Sequence, residues 1–209
     1  MERKPAGGKI RNIERSKTKF LLAVGKILKT KGHAGLKIND IAKLAGVDKK
    51  MIYIYFGGLD GLIDDYIRTQ DFWSNVKAEQ ASAPITDGGK SFAKELFLSQ
   101  FDYLFENKEL QKLLLWRLSE ERKSLRKLTE DQEASAEVLF TEIVEPHFGT
   151  NAEKYRAVSA ILAAGMYYLT MYAEVNGSTF SGIDLKTENG RKAIKDAVNF
   201  IVDKAYETW

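Results

Sequence analysis

Lys37–Phe56 reads KINDIAKLAGVDKKMIYIYF, two short helical segments hinged at Ala45-Gly46-Val47. Ile38, Ile41, Ala42 and Ala45 recur at i, i+3, i+4 and i+7, which gives the first segment one apolar face. Ala42 is small enough to let a second helix approach closely. Gly46 stands where a helix ends in a left-handed residue, a conformation open to glycine at no steric cost. Val47 is placed to pack back into a core, and Asp48 to cap the free N–H groups of the next segment. There Ile52 and Phe56 share a face, leaving Lys49, Lys50, Met51, Tyr53, Ile54 and Tyr55 to point outward or sideways. A helix inward at two apolar residues and outward with lysines and tyrosines suits a DNA major groove. The pattern alone leaves open a helical hairpin at the edge of any all-α core.

The charge distribution weighs between these readings. The net charge of +3 conceals an asymmetry: residues 1–56 hold 14 Lys and Arg against 4 Asp and Glu, a balance of +10. The remainder holds 18 against 25, or −7. A basic front and an acidic rear are what a DNA-contacting region joined to a region with another task needs. Arg11, Arg15, Lys17 and Lys19 are candidates for phosphate contacts that position without reading sequence.

The rest of the chain reads as all-α. A long first helix is predicted from about residue 9 to 31, with Ile10, Ile13, Phe20, Val24, Ile27 and Leu28 as its inward stripe. A connector, Gly57-Gly58-Leu59-Asp60-Gly61, leads into a helix of about 59–80, and 81–89 is a loop. Helical patterns follow at about 90–106, 108–120, 123–145, 152–175 and 188–207, and no β-alternation of useful length interrupts them. The expectation is about nine helices. Residues 1–58 form an N-terminal three-helix, helix-turn-helix domain and 59–209 a helical ligand-binding and dimerisation domain.

In the last helix, Ala193, Ile194, Ala197, Val198, Phe200, Ile201, Val202 and Ala205 spread over more than half the circumference. A surface helix needs only a stripe for its own core, so this width suggests a second partner. The helix before it contributes Ala157, Ala160, Ala163, Ala164 and Gly165, small residues that permit close helix contact. Ala160, Ala164, Ile194, Ala197, Val198 and Ile201 are the expected interface of a homodimer.

Chemistry other than binding finds little support. The chain has no cysteine and two histidines, His33 and His147, with no spaced metal-ligand set around either. No phosphate-cradling glycine loop, nucleophile elbow or HExxH is present. We expect no enzyme, no metal and no cofactor. Adjacent carboxylates such as Asp64-Asp65 and Glu120-Glu121 read as solvated faces, because neighbouring residues diverge on a helix. The charged start of the chain lacks a signal-peptide run, and no segment approaches 18 uncharged apolar residues, which points to a cytoplasmic protein.

On Asp40-Ile41-Ala42, Ala45-Gly46-Val47, Asp48, Ile52-Tyr53 and Phe56 with Leu62 six residues on, the stretch resembles the DNA-binding domain of the TetR family of bacterial transcriptional regulators. The resemblance is strongest over about residues 9–65 and continues as a match of size and helix count. It implies a homodimer whose last two helices form a two-fold four-helix interface, reading a palindromic operator in double-stranded DNA. It further implies a repressor released by a small-molecule effector, which shifts the connecting helix from Gly57–Gly61 onward. With three glycines, that connector reads as a hinge or, equally, as a tight surface turn.

The expected DNA-facing set is Lys37, Asn39, Lys49, Lys50, Met51, Tyr53, Ile54 and Tyr55. Tyr53 matches the family's phosphate-contacting tyrosine, and Tyr55 its neighbouring aromatic or histidine position. Lys37, Lys50, Met51 and Leu59 depart from the family's usual residues, and methionine cannot donate to a phosphate. Of the 23 aromatic residues, 19 lie after position 56. Trp73, Phe97, Phe101, Tyr103, Trp116 and Tyr168, with Arg117 as a polar contact, are candidates for an effector pocket, although such rings also fill ordinary cores and Arg117 also suits a surface ion pair. The competing reading is a helical small-molecule-binding protein or enzyme with an incidental basic front. An architectural DNA binder would not require the aromatic-rich rear.

Overall fold

The computed structural model describes residues 7–70 and 85–209, with side chains from Arg11 onward. Its helices follow the predicted spans closely: α1 Gly7–Lys31, α2 Ile38–Ala45, α3 Lys50–Phe56, α4 Leu59–Arg68, α5 Lys90–Glu106, α6 Lys108–Ser119, α7 Lys123–Leu139, α8 Glu145–Phe148, α9 Ala152–Val175 and α10 Glu188–Thr208. The fold is all-α. One departure is a two-residue hairpin of β1 Thr179–Phe180 and β2 Ile183–Asp184 between α9 and α10. Another is a π-helical turn, Phe140–Val144, between α7 and α8. The continuation of the helix expected to residue 80, and Trp73 on it, lie outside the described residues.

The chain divides into two compact units. One comprises described residues up to 70 with 112–129, the other 85–111 with 130–209. In the first, α1 packs on α2 and α4, and α3 packs on α4. Phe20, Val24, Leu28, Ile41, Ile52, Leu62 and Ile67 are fully enclosed at its centre. The sequence reading places α4 with the rear domain, and here the structure differs. Leu62, Ile63, Tyr66 and Ile67 recur at helical spacing and complete the core of the front unit, joined by Leu113, Trp116, Leu125 and Leu128 from α6 and α7.

In the second unit α5 packs on α9 and α10. Phe97 and Phe101, one turn apart, meet Leu162 and Met166 of α9 and Val198 and Val202 of α10. Lys94 pairs with Asp203 at 2.5 Å and Lys195 with Asp102 at 2.6 Å, tying α5 to α10 at the rim. Within Lys123–Val175 one window is long and apolar enough to cross a membrane by length and composition, more apolar than the sequence reading allows. The reason is the uncharged run from 157 to 173 on α9. That helix buries Tyr155, Ser159, Leu162, Met166, Thr170 and Ala173 on one face, and 33% of the apolar window is buried.

The connector into α4 is a tight turn. Gly57 and Gly58 hold φ of 75° and 138°, and a Cβ on Gly61 would lie 1.8 Å from the Phe56 carbonyl oxygen. Its three glycines therefore answer steric demands, which explains them without a hinge. Gly61→Ala is expected to lower stability by about 1–3 kcal/mol through overpacking, read as a reduced urea midpoint.

Candidate nucleic-acid interface

The helix-turn-helix is assembled by short-range chemistry. Gly46 closes α2 in the left-handed region at φ 63°, its N–H donating to the carbonyls of Ala42 and Lys43. Val47 turns back against the core. The Asp48 carboxylate accepts the Lys50 N–H at 2.8 Å and so caps α3. Ile52 is then driven to zero exposure, which sets the rotation of the whole seven-residue helix.

That rotation sorts the predicted contact residues. Lys49, Lys50, Tyr53 and Ile54 face solvent, with Tyr53 58% and Ile54 69% exposed. Lys37 and Asn39 are exposed at the start of α2. The Lys49 ammonium donates to the Asn39 side-chain oxygen at 3.3 Å, bringing two of the candidates together across the turn. Met51 and Tyr55 are half-buried against the core, so they support the reading face more than they extend it. Leu44, 43% exposed on α2, is a further apolar residue that the sequence reading does not single out.

A polar clasp, also absent from the sequence reading, fixes α4 behind this face. The Arg122 guanidinium donates twice to one oxygen of Asp64, at 2.9 and 2.7 Å, and reaches the Asp60 carboxylate at 3.2 Å and the Asp60 carbonyl at 3.0 Å. Ser124 donates to the same Asp64 oxygen at 2.7 Å. Asp64 is therefore the centre of a network, where the sequence suggests only a solvated carboxylate. Beside it the Trp116 ring stacks on His33 with centroids 5.2 Å apart, and the indole N–H donates to Glu120 at 2.9 Å. Fifty-eight residues separate Asp64 from Arg122, so no local pattern could have paired them.

The described candidates for an effector pocket fall in both units. Trp116 is buried in the front unit's core, and Arg117 is half-buried on the same helix. Phe97 and Phe101 fill the second unit's core. Tyr103, six residues beyond Phe97 and so turned well away from it on the helix, is exposed, and its hydroxyl accepts from Asn107 at 3.0 Å. Tyr168 is exposed over Phe180 and Tyr172. Of the expected interface residues, Ala160, Ala164, Ala197 and Ile201 are exposed and Ile194 is half-buried. Val198 is a correction: at 4% exposure it packs in its own unit's core and is not offered to a partner.

No protein-family model matches the chain, and no curated protein matches it. Solved structures do. Two of them are crystal structures of NalD, the secondary repressor of the MexAB-OprM multidrug efflux pump in Pseudomonas aeruginosa. One is 20% identical with a TM-score of 0.51, covering 88% of this chain and 95% of that one. The other, of native NalD, is 18% identical with a TM-score of 0.55, covering 93% and 96%. The likeness shows the fold: this chain has a TetR-like, all-α architecture.

The clasp makes its own prediction. Arg122→Ala leaves Asp64 without its bidentate partner and should cost about 1–3 kcal/mol, discounted from a fully buried pair because Asp64 is 39% exposed. Arg122→Lys should recover little, since an ammonium has no fork. A double-mutant cycle with Asp64→Ala, followed by urea unfolding, reads the coupling.

Proposed function

We propose that this chain is a TetR-type, sequence-specific transcriptional regulator that binds a palindromic operator as a homodimer and acts as a repressor released by a small-molecule effector. One observation carries the reading. A helix seated by Ile52 presents Lys49, Lys50, Tyr53 and Ile54 outward from a segment of net charge +10. That combination meets both demands of DNA recognition, attraction to phosphate and a shaped protrusion for the groove. The NalD structures, of a repressor, agree with the regulator reading.

The lysines at the start of α3 approach guanine edges or phosphate, Tyr53 a phosphate, and Ile54 a thymine methyl group. The dimer uses the exposed apolar faces of α9 and α10. Besides Ala160, Ala164, Ala197 and Ile201 these include Ile161, 72% exposed, and Phe200, 62% exposed. Ala157, Ala160, Ile161, Ala164 and Tyr168 follow one another at helical spacing, and all are exposed. Such a patch on an ordinary monomer is unusual. An effector held in the second unit would act along α6 and α7, each of which runs continuously from that unit into the DNA-reading one. A cytoplasmic location follows from this role.

Selection of bound sequences from a random DNA pool should enrich a palindrome. Lys50→Ala with Tyr53→Ala should lose that enrichment, and the lysine alone should cost about 1–3 kcal/mol if it reads a guanine. Weak, sequence-blind binding by the unaltered protein would sink the regulator reading. For the dimer, Ile161→Glu with Phe200→Glu should halve the mass seen by sedimentation equilibrium while leaving helical circular dichroism unchanged. A mass that does not change removes this interface.

A further inference from the structure

The second unit carries an open cleft of about 470 Å³ lined by Ile85, Gly88, Glu142, Ile143, Pro146 and His147, none of them used above. Irregular backbone builds one wall. The π-helical turn at Phe140–Val144 inserts a residue into the helical ladder and redirects Glu142 and Ile143. Pro146 follows in the first turn of α8, without the N–H that a regular helix would aim at the Glu142 carbonyl. Gly88, at φ 67°, packs directly against His147, so close that a Cβ would lie 2.1 Å from its Nδ1. Asp87 pins this turn, accepting from the N–H groups of Gly89 at 3.2 Å and Ser91 at 2.9 Å and from the Ser91 hydroxyl at 2.6 Å.

The imidazole of His147 is held from behind. It stacks on Tyr206 with centroids 4.9 Å apart and meets the edge of Phe148 at 4.8 Å. The Tyr206 hydroxyl donates to the Gly88 carbonyl at 3.0 Å, locking the two together. Burial pushes that hydroxyl above its ordinary range, so it remains a donor at any physiological pH. The cleft's two ionisable side chains, Glu142 and His147, are both exposed and make no hydrogen bond or ion pair among the described residues.

We propose that this cleft binds an organic monocation with a flat apolar body. The cationic nitrogen pairs with Glu142, the apolar body lies along the exposed edge of the braced His147 imidazole, and Ile85, Ile143 and Pro146 cover it. A carboxylate without a hydrogen-bond or ion-pair partner among the described residues, beside an imidazole edge and aliphatic walls, selects this charge over a neutral or anionic ring of the same size. Through Tyr206 on α10, and through Phe148 stacked on Tyr155 of α9 at 4.4 Å, the site adjoins the two helices assigned to the dimer. The effector role of such a ligand rests on the proposed regulator function; its binding does not.

Calorimetric titration of the full chain with naphthylmethylammonium, the neutral naphthylmethanol and the anionic naphthoate tests the assignment. The ammonium should bind about fivefold more tightly than the alcohol, as a partly exposed ion pair allows, and naphthoate not measurably. Glu142→Gln should bring the ammonium down to the alcohol's affinity, while Glu133→Gln, an exposed acid outside the cleft, should change nothing. The His147 imidazole resonances should shift on addition of the ammonium. Equal affinity for ammonium and alcohol, an unchanged affinity in Glu142→Gln, or no binding of the ammonium overturns the proposal. An ammonium that binds as expected but leaves operator affinity unaltered upholds the cleft and removes it from the effector reading.

Discussion

A helix of seven residues has too few hydrogen bonds to hold itself together in water. α3 exists because Ile52 is inserted into a core made by Phe20, Val24 and Leu28 of α1, Ile41 of α2 and Leu62 of α4. That one insertion determines which of its residues meet solvent. It turns Lys49, Lys50, Tyr53 and Ile54 outward and lets Met51 and Tyr55 rest on the core's edge. Everything proposed about DNA reading depends on this rotation, and the rotation depends on burial of one isoleucine.

The core around Ile52 is larger than its own three helices. α4 contributes four buried side chains, and the 112–129 segment closes it with Leu113, Trp116, Leu125 and Leu128. Polar contacts then specify the register of that closure. Asp64 receives Arg122 and Ser124, Asp60 receives Arg122 by side chain and backbone, and Trp116 is sandwiched between His33 and hydrogen bonding to Glu120. A hydrophobic contact tolerates sliding, whereas a bidentate guanidinium requires one alignment. The same residues that read as surface charge thus define where α4 stands relative to α3.

The second unit shows a different economy. Its centre is regular helix packing of α5, α9 and α10, with aromatic and aliphatic residues at one-turn spacing. Apart from the hairpin after α9, its irregularities include one cluster where the π-helical turn, Pro146, two left-handed glycines and the His147–Tyr206 stack meet. Regular packing leaves little room for a ligand, and a cleft forms where the ladder is broken. Of the described aromatic residues that the sequence leaves open to pocket or core, Phe97, Phe101 and Trp116 fill cores, and Tyr103 and Tyr168 lie exposed. Composition reports how many rings a chain has, and helix rotation decides where each one points.

The sequence by itself determined the all-α class, the spans of α5, α6, α9 and α10 to within a few residues, and the turn at Gly46 with its Asp48 cap. These are local properties: apolar residues at helical spacing, a glycine where φ must be positive, a carboxylate next to free N–H groups. It also determined the identity of Ile41, Ala42, Ala45 and Ile52 as inward residues. The tertiary structure alone decided that α4 belongs with the front unit, that Asp64 is bound by Arg122, that Val198 faces its own core, and that Glu142 and His147 share a cleft. The physical reason is the same in each case. Such facts depend on the direction a side chain takes among partners distant in sequence, and periodicity identifies a face without saying what will cover it.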